Sequence, residues 1–208
     1  MKVTLIESTP NPIERIAQYA SICYDSDPAD PAKLVDNLYK NGHHSVFEHV
    51  SFTFLIEGIS RACSHQLVRH RHASYTQRSQ RYCAEDAPTD YIIPPSIAED
   101  EEALPAYKAA LKACQKAYEE LTILHNIPKE DARYILPNAK ATQLYMTLNL
   151  RELMHLSNER LCSRAQWEIR QMVTLMTAQV DPSLRKYLVP TCESGWRVCH
   201  SPCRNKKR

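Results

Sequence analysis

Three glycines, Gly42, Gly58 and Gly195, are all that the 208 residues contain. A Walker phosphate loop, a G-x-G-x-x-G dinucleotide fingerprint and a G-x-S-x-G nucleophile elbow each need glycines at close spacing, so none of them can be built here. If the chain binds phosphates, it must do so largely with side chains. Its length suits one domain, and 43% apolar with 24% charged residues is a globular balance. No stretch longer than ten residues lacks Asp, Glu, Lys and Arg, which leaves no room for a transmembrane helix. The start, with four uncharged residues between Lys2 and Glu7, is too short in apolar residues for a signal peptide.

The net charge of +2 hides a division. Residues 58–84 carry five arginines (Arg61, Arg69, Arg71, Arg78 and Arg81) and no acid. Residues 194–208 carry five more positive charges and no acid, so the remainder holds 16 basic against 24 acidic residues. An acidic body and a pI of about 8.1 fit poorly with a nucleic-acid-binding face. Arginine without lysine in the internal segment suits planar, bidentate recognition of a phosphate or a base edge. Eight cysteines without a secretory signal read as reduced cytosolic thiols rather than a disulfide framework. Cys192, Cys199, His200 and Cys203 lack the C-x2-C spacing of a zinc knuckle, so no metal is expected.

Periodicity predicts the order of elements. Lys2–Ile6 reads as a strand, residues 12–23 as a helix, and a second helix opens at Asp30 or Pro31 and stops at Asn41-Gly42. Val50, Phe52, Phe54 and Ile56 alternate with more polar neighbours, the clearest strand of the chain. Ser60 caps a helix over about 61–69, and residues 72–77 and 91–93 are candidate strands. Helices are expected over 103–125, briefly after Pro128, and over 139–160 and 163–180. The predicted class is α+β: a small, mainly antiparallel sheet packed with several helices in a single domain over residues 1–187, helical in its C-terminal half. Residues 188–208 read as a basic, poorly ordered tail.

The most informative stretch is Arg69-His70-Arg71 followed by His72, Ala73, Ser74, Tyr75, Thr76, Gln77, Arg78, Ser79, Gln80 and Arg81. Its guanidinium, imidazole and hydroxyl groups could surround an anion. They could equally form a basic surface strand or a loop that contacts RNA.

Arg69-His70-Arg71, seven residues and Ser79 resemble the signature of the flavin-dependent thymidylate synthases. The segment Gly42-His43-His44-Ser45-Val46-Phe47-Glu48-His49 is similar to another of that family's marks. So are Ala132–Pro137, Asn149-Leu150-Arg151 and Ala165–Ile169, so that residues 2–182 are covered in order. The resemblance implies reductive methylation of dUMP to dTMP, with methylenetetrahydrofolate as carbon donor and FAD carrying hydride from NADPH. It implies a cytoplasmic homotetramer with active sites shared between chains, small-molecule partners only, and neither nucleic acid nor membrane. FAD contacts carried over are Ser45, Arg69, His70, Arg71, Gln77, Asn149, Leu150, Arg151 and His155, with His43 near the flavin or folate. Contacts to dUMP carried over are Gln66, Leu67, Val68, Arg69, Gln77, Arg78, Ser79, Gln80, Arg81, Arg133 and Arg160. Arg160 is the expected catalytic residue, its guanidinium stabilising charge that develops on the pyrimidine. Arg151 and His155 stand four apart, so a helix would put them on one face. Gln66 and Arg69 stand three apart, with the same implication. Arg164 replaces a histidine common at that position, and His155 stands where asparagine also occurs. Two other classes remain as alternatives. One is an RNA- or single-strand-binding protein using segment 69–82; the other is a metal-dependent nucleotide hydrolase using His43, His44 and His49.

Overall fold

The computed structural model describes residues 1–25, 27, 29–85, 90–200 and 203. In chain order the elements are β1 (Lys2–Ser8), α1 (Pro12–Ser21), α2 (Pro31–Lys40), β2 (Ser51–Ser60), α3 (Arg61–Leu67), β3 (Ala73–Gln77), α4 (Pro95–Ala98), α5 (Ala103–Glu119), α6 (Lys129–Ala132), β4 (Ala141–Asn149), α7 (Leu150–Arg160) and α8 (Trp167–Gln179). The four strands make one antiparallel sheet in the order β1-β2-β4-β3. Its register can be read from backbone bonds: Leu150 N to Val50 O at one end of β2 and Arg61 N to Lys140 O at the other, with Thr53 and Thr147 sharing a hydroxyl bond. The predicted α+β class, with a small antiparallel sheet and several helices, is the class observed.

By contacts the chain groups into two compact units. One comprises residues 1–56, 67–75 and 145–208, the other 57–66 and 76–144. In the first, α1 packs on α2, and Asp30 caps α2 by accepting from Lys33 N at 3.0 Å. The stop at Gly42 has a positive φ of 77°, which glycine adopts without strain. Gln179 at the end of α8 grips β1 with both ends of its amide: Leu5 N donates to Oε1 at 2.7 Å, and Nε2 donates to Val3 O. Ile16, Val35, Phe47, Phe52, Phe54, Leu153 and Ile169 are among its fully or nearly fully buried core residues. In the second unit, Ser60 caps α3 by accepting from Cys63 N at 2.9 Å, as the sequence predicts.

Several expectations are corrected. Residues 141–149, read as the start of a helix, are strand β4: Thr142, Leu144, Met146 and Leu148 are buried while Gln143, Tyr145 and Thr147 are exposed. Helix α7 begins only at Leu150, where Asn149 accepts from Glu152 N at 2.9 Å. The candidate strand 91–93 is reduced to a bridge between Tyr91 and Lys140. The helix predicted over 163–180 starts at Trp167, because Gln166 takes the cap by accepting from Glu168 N and Ile169 N. No helix among the described residues is long and apolar enough to cross a membrane. The segment read as a loose tail opens with packed residues: Leu188 and Ser194 are buried, and Asn158 Nδ2 donates to Val189 O at 2.7 Å.

Candidate active site

The Arg69-His70-Arg71 run is a turn between α3 and β3, so the strand geometry considered for it does not apply. His70 is buried at 4% exposure, while Arg69 and Arg71 point outward. Tyr75 fixes this turn by donating its hydroxyl to two carbonyls, Leu67 O at 2.9 Å and His70 O at 2.8 Å. Burial, with the charge of Glu152 adding to it, pushes the Tyr75 hydroxyl far above its ordinary range, so it remains a donor at any working pH.

His70 meets Arg160 at the end of α7. Arg160 Nε donates to His70 Nε2 at 3.1 Å, so that nitrogen carries no proton and the neutral ring is protonated at Nδ1. His70 Nδ1 lies 3.4 Å from Glu152 Oε1, an oxygen that is buried and has no hydrogen-bond partner. Glu152, His70 and Arg160 therefore stand in a row from the first turn of α7 to its last, hydrogen-bonded at the Arg160 end and in close approach without a hydrogen bond at the Glu152 end. His70, His155 and Glu159 also cluster, with ligand-type atoms within 4.8 Å of one another. The lone pair that His70 would give a cation already accepts from Arg160, so the cluster reads as a hydrogen-bond network.

Beside this network lies a cavity of about 520 Å³, within the usual range for a small-molecule site. Asn149, Arg151 and His155, all on or next to the N-terminal part of α7, line it together, as the spacing of Arg151 and His155 predicts. His44 and Glu48 of the 42–49 motif and His72 of the arginine-rich stretch also line it, and Glu152, Met154, Trp196 and Arg197, which carry no site expectation in the sequence, complete the lining. Arg151 is paired with Glu48. His44 donates Nε2–H to Tyr39 O at 3.0 Å. Burial, mainly, and then the guanidiniums of Arg151 and Arg197 hold its pKa below the usual range, against the pull of the Tyr39 carbonyl. The ring is accordingly neutral at pH 7.

Ser45 and His43 are exposed on the turn preceding β2 and are not in the lining. Leu67 and Leu150 are wholly buried in the core, so neither side chain is available to a ligand; Val68 is exposed. Helix α3 ends at Leu67, whose carbonyl accepts from His70 N, so the helical relation expected between Gln66 and Arg69 does not hold. Helix α7 likewise ends at Arg160, so Cys162 and Arg164 lie outside it.

The remaining expected residues belong to the other compact unit. Gln77 donates to the hydroxyls of Ser64 at 3.1 Å and Thr142 at 3.2 Å. Arg78 is bound to Glu85 and to Ala84 O, and it receives Arg61 on its own carbonyl. Arg81 holds Glu130 through Nε at 2.8 Å and Nη2 at 2.7 Å. Ser79 Oγ accepts from Arg81 N, Gln80 is half-buried, and Arg133 bonds to the Glu130 carbonyl. Three of the five arginines of the acid-free segment are thus engaged by the protein itself, which is unlike a diffuse polynucleotide-binding surface.

The family model of the thymidylate synthase complementing proteins matches residues 4–184. The chain belongs to this family. It is 41% identical over 211 residues to a flavin-dependent thymidylate synthase of Geobacter sulfurreducens, covering 94% of this chain and 90% of the relative. It is 44% identical over 206 residues to the enzyme of that name from Pyrococcus horikoshii, covering 93% and 84%. The fold is similar to that of thymidylate synthase X from Helicobacter pylori, solved with FAD and dUMP (TM-score 0.76, 22% identity, 93% of this chain and 99% of that one). It is also similar to a UMP/dUMP methylase of Streptomyces cacaoi (TM-score 0.77, 23% identity, covering 89% and 93%). Family membership leaves the polynucleotide-binding and metal-hydrolase alternatives without support.

Proposed function

We propose that this chain is a flavin-dependent thymidylate synthase that methylates dUMP to dTMP. The carbon comes from methylenetetrahydrofolate, FAD is the cofactor, and NADPH is the reductant. The reading is carried by the coincidence of the family match with a cavity where Asn149, Arg151 and His155 converge. The names of the relatives, and the FAD and dUMP bound to the Helicobacter protein, support it.

The residues present fit a flavin dinucleotide. Glu152 Oε1 is a buried acceptor without a hydrogen bond in the cavity lining, and flavin and ribityl groups offer donors. Asn149 spends its carbonyl oxygen on capping α7, leaving its amide N–H groups to donate. When bound, FAD supplies the hydride that completes the methyl group. The chain's own residues hold and orient. Arg160, anchored at Nε by His70, keeps its Nη groups for a pyrimidine oxygen, where they stabilise negative charge as it develops. Homotetramer assembly and a cytoplasmic location belong to the same reading. The test is the purified protein itself: one FAD per chain by absorbance, and dTMP formed from dUMP only when methylenetetrahydrofolate and NADPH are both present. A colourless protein that forms no dTMP would overturn it.

The dUMP contacts carried over to 77–81 and the FAD contacts carried over to 69–71 give a ligand-by-ligand expectation. The Arg81–Glu130 pair is half-exposed, so exchanging the carboxylate for a substrate phosphate costs little. Arg81→Ala is expected to weaken dUMP binding about tenfold with FAD little changed, and Arg71→Ala to do the reverse. Titrating both ligands into both variants checks this; equal losses everywhere would reveal a general electrostatic patch.

The reading uses no protein nucleophile. Cys83 is half-buried with its backbone N on Ser79 O, and Cys162 lies in the turn after α7. Cys83→Ser, Cys162→Ser and the double variant are expected to keep FAD and most of their turnover, measured anaerobically in a single turnover from reduced enzyme. A loss of about a thousandfold with both ligands bound would make a thiol essential.

A further inference from the structure

The family match ends at residue 184, yet the chain beyond it returns to the cavity. Asn158, nearly wholly buried on α7, ties that segment down twice: its Nδ2 donates to Val189 O at 2.7 Å, and its carbonyl accepts from Thr191 Oγ1 at 3.0 Å. A short turn over Thr191–Glu193 follows, and the buried Ser194 hydroxyl accepts from Arg197 N at 3.3 Å. These bonds bring Trp196 and Arg197 into the lining beside His44, Asn149, Arg151 and His155.

The two side chains are organised. The Trp196 ring stands edge-on to His44 with centroids 4.6 Å apart, and His44 is itself pinned to Tyr39 O. The Arg197 guanidinium lies over the Trp196 ring, 4.8 Å from its centroid. That contact draws the guanidinium to the ring, and among the described residues its N–H groups make no hydrogen bond. Among the described residues Arg197 makes no ion pair with a carboxylate, whereas Arg78, Arg81 and Arg151 each have one. It is a planar donor fork on a cavity whose lining also holds Arg151, itself paired with Glu48. Such a fork suits phosphate oxygens, which it can meet with two parallel bonds.

We propose that Arg197, positioned by Trp196, binds the diphosphate of the dinucleotide that occupies this cavity. The inference rests on the reading of the cavity as the FAD site. The diphosphate is the part of FAD that carries formal charge, and so the part a guanidinium selects.

The test titrates FAD into deflavinated full-length protein, followed by flavin fluorescence at several salt concentrations. Arg197→Ala is expected to raise the Kd for FAD about tenfold to a hundredfold and to flatten its salt dependence. Arg197→Lys should recover part of the affinity, and Trp196→Ala should fall between parent and Arg197→Ala. Unchanged FAD affinity in Arg197→Ala, with Arg151→Ala weakened, overturns the proposal and leaves the cavity reading standing. Unchanged affinity in Arg197→Ala, Arg151→Ala and His155→Ala together overturns the cavity reading as well. Weakening of Arg197→Ala with the parent's salt dependence also overturns the proposal, because it marks lost packing rather than a lost charge contact.

Discussion

Arg160→Ala is expected to leave FAD bound while dTMP formation falls about a hundredfold to a thousandfold, the usual effect of removing one preorganised donor to developing negative charge. The size of the effect follows from how the guanidinium is held. Its Nε donates to His70 Nε2 at 3.1 Å, and His70 Nδ1 faces the buried carboxylate of Glu152 at 3.4 Å. All three residues belong to one compact unit, two of them on the same helix. On the proposed assignment the guanidinium is held before the substrate arrives, with little reorganisation left to the moment of reaction. Arg160→Lys should rescue poorly, since an ammonium cannot bond to His70 and present a planar fork at once. Glu152→Gln should act more mildly, about tenfold, because Glu152 positions through His70 rather than touching the substrate. That loss should appear in kcat more than in the KM for dUMP. Single-turnover reduction and product formation measure both. Retention of more than half the parental turnover by Arg160→Ala would end its assignment to the pyrimidine.

The arginine network illustrates what a sequence exposes and what it hides. The Arg69-His70-Arg71 signature and the pair Arg151 and His155 were visible because motif and helical spacing are local properties. Strand β4 was not, because Leu144, Met146 and Leu148 are as much at home in a helix as in a strand, and they run directly into the true helix at Leu150. Only burial on alternate residues distinguishes the two, and the alternation Thr142, Leu144, Met146, Leu148 was the signal to weigh. Glu152 was missed for a different reason. A glutamate in the first turn of a helix reads as a solvated partner of the helix dipole, and here it is buried against His70. Trp196 and Arg197 lie in a segment that reads from its charge as a basic tail. The bonds that fold it back, from Asn158 and Ser194, join residues whose separation or ordinariness gives no local signal.

A second large effect is expected on stability. Lys140→Met should lower the stability of the chain by about 3–5 kcal/mol, the cost of leaving a buried charge without its partner. Lys140 and Glu85 are 0% and 2% exposed, and Nζ lies 3.8 Å from the Glu85 carboxylate and 4.7 Å from the Tyr91 ring centroid. Methionine keeps the volume and the apolar stem, so the loss isolates the charge. For a chain this long it corresponds to a fall in Tm of roughly 6–20 °C. Arg78 Nη1, 3.4 Å from the same carboxylate, is one-third exposed and replaces Lys140 only in part. The sign of the pH dependence is set by Glu85. Burial raises its pKa above the ordinary value of 4.5 in spite of Arg78, Lys140 and Arg61, and removing Lys140 raises it further. A carboxyl whose folded pKa is raised binds a proton more readily folded than unfolded, so its cost grows as pH rises and shrinks as pH falls toward the acid range. The deficit of Lys140→Met relative to the parent should therefore be largest near neutrality and narrow on acidification. Adding Glu85→Gln should restore most of the stability at neutral pH, because the unpaired charge is then gone. Denaturant unfolding of the three proteins across pH measures each effect. A single-variant loss below 1 kcal/mol, or a double variant no better than Lys140→Met, would show that the pair is not the anchor of this unit.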